Sequence, residues 1–229
     1  MSQHDYVIEN QDGASFRADI NNALAAAVSL NSGLTEPAAP FAYMLWQDTT
    51  AGVLKQRNAA NNAWVALPDA LAIRPLTSAT SQATTSGTAK EFTAIPSWVK
   101  RITVAFSGVS VATTAPIMVQ LGTGSTTYTT SGYQGCSDLI ETSVNFTVLS
   151  EGFLLTDSNL AAHLYHGLMT LVNLGGNTWV AQAMVATSNT DQFGLMSGSV
   201  TLAAPLTALR VTSVGAATFD GGSVNILYE

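Results

Sequence analysis

The chain has 229 residues, 47% of them hydrophobic and only 10% charged, and its 8 Lys and Arg against 15 Asp and Glu give a formal net charge of -7. After Arg101 the only Lys or Arg is Arg210, so the basic stripe of nucleic-acid binding is missing and anionic lipid would repel the C-terminal half. Cys136 is the single cysteine, which excludes an intrachain disulfide and a cysteine zinc cluster.

The N-terminus opens MSQHDYVIENQDGASFRADINNALAAAVSLNSG. Ser15 is expected to cap a helix beginning at Phe16, with Asp12 and Asp19 near its positive end. Phe16, Ile20, Leu24 and Val28 recur every fourth residue and form one apolar stripe, with Ala23 and Ala27 beside it. Asn31, Ser32 and Gly33 are expected to stop the helix, Gly33 taking the left-handed conformation. A helix of about four turns is marginal alone, so the stripe needs a partner. Two arrangements supply one: packing on the chain's own hairpin, or three copies around a symmetry axis.

Pro37 and Pro40 close that region. Residues 41–47, 53–57 and 63–67 then read as a three-stranded meander, with turns at 48–52 and 59–62. Trp46 and Trp64 are predicted as its core. Residues 77–88, TSATSQATTSGT, lack large apolar groups and read as a linker or an extended arm. From Lys90 onward nearly everything reads as strand, at 99–111, 117–121, 145–156, 162–174, 178–187, 198–202, 207–214 and 223–228. The segment 162–170 could also be helical. Turns at Gly122-Thr-Gly124, Gly175-Gly176-Asn177 and Asp220-Gly221-Gly222 suit positive φ. The predicted class is mainly β: a helix (1–35), a small meander (36–76), a Ser/Thr-rich linker (77–90) and an antiparallel, jelly-roll-like β-sandwich (91–229).

Catalytic signals are absent from the sequence. His163 and His166, three apart, face opposite sides of a strand and cannot share an ion there; on a helix they could, but no third ligand follows nearby. Asp138 and Glu141 are close in sequence, yet read as solvated loop acids and not as a glycosidase pair. GLMSGS (194–199) has the wrong spacing for a nucleophile elbow, and GTGSTT at Gly122 lacks the lysine of a phosphate loop. The expectation is a non-enzyme with no cofactor and no metal. Recognition of a surface remains, and two loops offer aromatic and hydrogen-bonding groups for it: 125–134 with Tyr128 and Tyr133, and 189–193 with Asp191, Gln192 and Phe193.

The opening block, together with FAYMLWQDTTAGVLKQRNAANNAWVAL, resembles the start of bacteriophage tail-fibre proteins. EFTAIPSWVKRITVAFSGVSV and the ending FDGGSVNILYE resemble the two ends of the β-rich terminal module of such fibres. The resemblance spans residues 1–67 and 91–229. It implies a homotrimer with no membrane insertion. The N-terminal region would dock on other virion proteins, and the C-terminal module would meet a host-surface glycan or protein. Phe16, Ile20, Leu24 and Val28 would then pack in the anchor or trimer. The expected location is the virion, on the tail in preference to the capsid. Two structural alternatives share that anchor: a head-fibre or capsid-decorating protein, and an adaptor carrying a longer fibre. With one cysteine, no apolar run of ~20 residues and no signal peptide, synthesis in a bacterial cytoplasm and release by lysis are expected.

Overall fold

The computed structural model describes residues 3–67, 76–140, 146–190 and 192–229. They form two compact units, Met1–Pro75 and Leu76–Glu229.

The first unit opens with helix α1, Gly13–Val28. Its cap is Asp12 and not Ser15. The Asp12 carboxylate accepts from the backbone N–H of Ala14 at 2.9 Å and of Ser15 at 3.2 Å, while the Ser15 hydroxyl donates back to it at 2.5 Å. A carboxylate satisfies two orphan N–H groups at once, which starts the helix three residues earlier than expected. The stop also differs. Leu30 and Asn31 take positive φ (52° and 54°), and the Asn31 amide donates to the Leu45 carbonyl at 3.2 Å. Gly33 instead bridges Asp48.

Three strands follow in the order β1 (Leu45–Asp48), β2 (Val53–Arg57), β3 (Trp64–Ala66), all antiparallel. The buried Trp46 meets the half-buried Trp64 edge-on at 5.3 Å. Lys55 and Arg57 lie over the two rings at 4.9 Å and 5.4 Å. Asp48 is buried at the first turn. The Lys55 ammonium at 2.7 Å and the backbone N–H groups of Ala51 and Thr50 hold its carboxyl below the usual carboxylate range.

The second unit contains β4 (Thr77–Ser78), β5 (Gln82–Ala83), β6 (Ala89–Phe92), β7 (Arg101–Val111), β8 (Ile117–Gly122), β9 (Gln134–Ile140), β10 (Phe146–Val148), β11 (Phe153–Leu154), β12 (Tyr165–Gly175), β13 (Thr178–Thr187), β14 (Phe193–Thr201), β15 (Ala208–Ser213) and β16 (Phe219–Tyr228). The large sheet runs β10-β9-β14-β13-β12-β7-β16-β4, with β5 also on β16; the small one runs β11-β8-β15-β6. The two pack as a sandwich. Ile102, Val104, Phe106, Met169, Leu171 and Trp179 from the large sheet share one buried cluster with Ile117, Val119, Leu121, Leu209 and Val211 from the small one. Strand β13 alternates strictly between buried and outward positions, the period-2 signature of a sheet with one face on a core.

One expectation changes here, and two open alternatives close. Segment 162–170 contains no helix: β12 pairs with β13 from Tyr165↔Thr187 to Val172↔Val180. The expected strand at 145–156 divides into β10 and β11, which join different sheets. The polar stretch 77–90 is an arm of the second unit and not a free linker. There β4 and β5 pair with β16, and the fully buried Thr84 donates from its backbone to Gly222 O at 2.9 Å and from its hydroxyl to Gly221 O at 2.7 Å. A segment too polar to build a core can still close the edge of one. A fragment beginning at Leu76 is therefore expected to unfold cooperatively. One beginning at Thr88 should lose roughly 3 kcal/mol, from a few hydrogen bonds at about 1 kcal/mol each. Urea denaturation of the two fragments makes the comparison, and equal stability would return the arm to the status of a linker.

Candidate functional site

Among the described residues, no three His, Cys, Asp or Glu side chains converge as a metal-holding group. His163 is buried, with Nδ1 3.0 Å from the Tyr165 hydroxyl, whereas His166 is exposed, with Nε2 3.2 Å from Ser188 Oγ. They do not share a site. Asp138 is not a loop acid. It lies within β9, half-buried, and its Oδ1 is shielded from solvent without a hydrogen bond among the described residues. Glu141 lies outside the described residues.

The two tyrosines proposed for surface contact separate completely. Tyr133 is 4% exposed, its ring edge-on to Phe153 at 4.8 Å. Its hydroxyl accepts from Leu121 N–H at 2.9 Å and donates to Thr129 O at 3.2 Å. Burial pushes its phenol up to about 12. It is a core residue that fastens its loop to β8, and it cannot meet a receptor.

Tyr128 stays at the surface, half-buried, its backbone bridged to Gly122. The Arg210 guanidinium lies over its ring at 4.4 Å, and Arg210 Nε donates to Gln120 Oε1 at 2.7 Å. Gln120, Arg210 and Glu91 stand in one cross-strand row of the small sheet. Burial first, and then the Glu91 charge, push the Tyr128 phenol up to about 12. The unit's one basic side chain beyond Arg101 is thus joined to an aromatic ring, an amide and a carboxylate. Sugars are commonly read by such a combination of flat apolar faces and planar polar groups.

In the second loop, Gln192 is half-buried and Phe193 is exposed as the first residue of β14; Asp191 lies outside the described residues. Phe193 faces Ile140 across the strands, and both belong to a larger feature. The outward side of the large sheet carries Leu168, Met184 and Leu195 in one cross-strand row, all exposed. Beside that row is a depression of about 690 Å³, bordered by Cys136, Asp138, Thr170 and Gln182. Gly167 also borders it: the strand bulges there, and a Cβ would lie 2.3 Å from the Met184 carbonyl oxygen. The sequence did carry a signal for this face. YHGLMTLVNLG and TWVAQAMVAT place apolar groups at both odd and even positions, the pattern of strands covered on both sides.

The helix stripe is a second exposed apolar feature. Phe16 is 42%, Leu24 59% and Val28 86% exposed, and Ile20 is half-buried. Packing on the chain's own hairpin is therefore excluded for most of the stripe. The helix buries Ala26 instead, and its Asp19 carboxylate takes the His4 ring at 2.7 Å.

Comparison of the chain with protein-family models, with curated proteins and with solved structures found no match.

Proposed function

We propose that this chain is a homotrimeric fibre protein of a bacteriophage particle, attached through its N-terminal unit and displaying its C-terminal β-sandwich to a host-surface glycan or protein. The exposure of Phe16, Leu24 and Val28 is the observation that carries this reading. An amphipathic helix whose apolar side is turned outward needs a partner outside its own unit, and a second copy supplies one. The segment bearing it is also the one that resembles the docking region of tail fibres. The surface around Tyr128, Arg210 and Glu91 is the proposed receptor contact, and binding there requires no chemistry.

The test is adsorption of the purified full chain to host bacteria, together with its location on the intact particle. Tyr128→Ala removes the ring beneath Arg210 and is expected to weaken adsorption roughly fivefold per site, about 1 kcal/mol, with avidity multiplying the loss across three copies. Sugar fragments released from the envelope would reveal an enzyme and overturn the reading. A chain found on the shell, with no adsorption to cells, would favour a capsid-decorating protein built on the same anchor.

A further inference from the structure

We infer that the outward face of the large sheet is the surface through which copies of this chain associate, an inference that rests on the homotrimeric reading above and supplies its subunit contact. Leu168 and Met184, 54% and 64% exposed, lie at the middle of that face and are directly paired across β12 and β13. Leu195 continues their row on β14. Phe193 and Ile140 extend the apolar area at one end, and Val172 and Val180 at the other; all four are exposed.

Size and charge both point to a second copy as the occupant. From β10 to β7 the sheet spans six strands. At ~4.8 Å between strands and ~3.4 Å per residue, that face is roughly 24 Å by 20 Å, with the exposed apolar side chains on its middle four strands, and side-chain relief brings its accessible area toward the ~800 Å² per partner of a stable interface. The face has almost no charge. Arg101 at its margin is paired with Glu229, which leaves Asp138 as the carboxylate beside the central row. A highly charged ligand would find little to bind, whereas three copies can turn this nearly uncharged face toward a common axis and desolvate few charges. Thr170, Gln182 and Ser197 form the neighbouring row of the same face. The strand sequences agree, being apolar on both faces while their own protomer covers one.

Cys136, the single cysteine, is exposed in the protomer and stands in the Thr170–Gln182–Ser197 row. It reports directly on whether the face is covered. In the wild-type full chain, light scattering after size exclusion is expected to give the mass of three 23.8 kDa chains, with Cys136 resisting a maleimide until denaturant is added. The double variant Leu168→Glu with Met184→Glu is expected to fall to one third of that mass, with an unchanged circular dichroism spectrum and rapid labelling of Cys136. Leu24→Glu with Val28→Glu, in the other unit, should leave Cys136 protected. A double variant that keeps both its mass and its protected cysteine overturns the inference. So does rapid labelling of the wild-type oligomer, a measurement that needs no variant to fold. A protected wild-type dimer supports the face and overturns the threefold reading. A readily labelled wild-type monomer overturns both, while receptor recognition is judged separately by adsorption.

Discussion

Tyr133→Ala is expected to destabilise the C-terminal unit by about 3–5 kcal/mol, the usual cost of truncating a buried aromatic. The ring fills space against Phe153, and its hydroxyl satisfies the Leu121 N–H of a fully buried strand. Its loss leaves both a cavity and an orphaned donor. For a unit of this size the melting temperature should drop by roughly 10 °C, whereas the surface variant Tyr128→Ala should move it little. Differential scanning calorimetry decides this, and an unchanged transition would return Tyr133 to the surface.

The same residue sets an alkaline limit. Its folded pKa, about 12, lies above the ordinary value of 10.0, because burial favours the neutral phenol. The resulting stability is fully present below pH 10 and is lost as the pH climbs toward 12. Tyr133→Phe keeps the packing and forfeits two hydrogen bonds, so it should be about 1–2 kcal/mol less stable at neutral pH. It should also show a flatter decline above pH 10. Urea midpoints measured across that range test the sign.

Gly222→Ala is expected to be worse still, preventing the sandwich from closing at β16. Gly222 has a φ of 86°, and a Cβ there would lie 2.3 Å from both the carbonyl carbon and the carbonyl oxygen of Gly108, and 2.5 Å from Ser107 O. Both obstacles are backbone atoms of β7, the strand that pairs with β16 across a register shift. Left-handed φ alone costs an alanine roughly 1–2 kcal/mol. Displacing the adjoining strand raises the total above about 4 kcal/mol. Soluble yield and far-ultraviolet dichroism are the measurements, and a variant that melts like wild type would show that the bulge tolerates a side chain.

Local chemistry made much of this fold legible. Alternation marked the first half of β7, where one face meets the core, and short apolar runs marked β8 and β15, which are buried at nearly every position. The glycines of 175–176 marked the hairpin between β12 and β13. Strand β9 escaped notice because QGCSDLI has no alternating apolar pattern. It is a strand through its partner β14, some sixty residues away in the chain. Residues 77–88 read equally as a linker or an arm because their small polar side chains signal no burial; backbone hydrogen bonds to β16 make them an arm.

The two tyrosines mark the boundary between what the chain announces and what folding decides. By itself the sequence determined the mainly β class, the amphipathic helix, the missing basic stripe and the presence of two aromatics in one polar loop, because composition and period act over a few residues. Only the tertiary structure decided that Tyr133 turns inward to Leu121 while Tyr128 lies under Arg210. It also decided that the helix stripe is left bare, and that Leu168, Met184 and Leu195 line up across three strands. Each of these depends on which distant strand becomes a neighbour, and the pairing of distant strands is a property of the whole sheet.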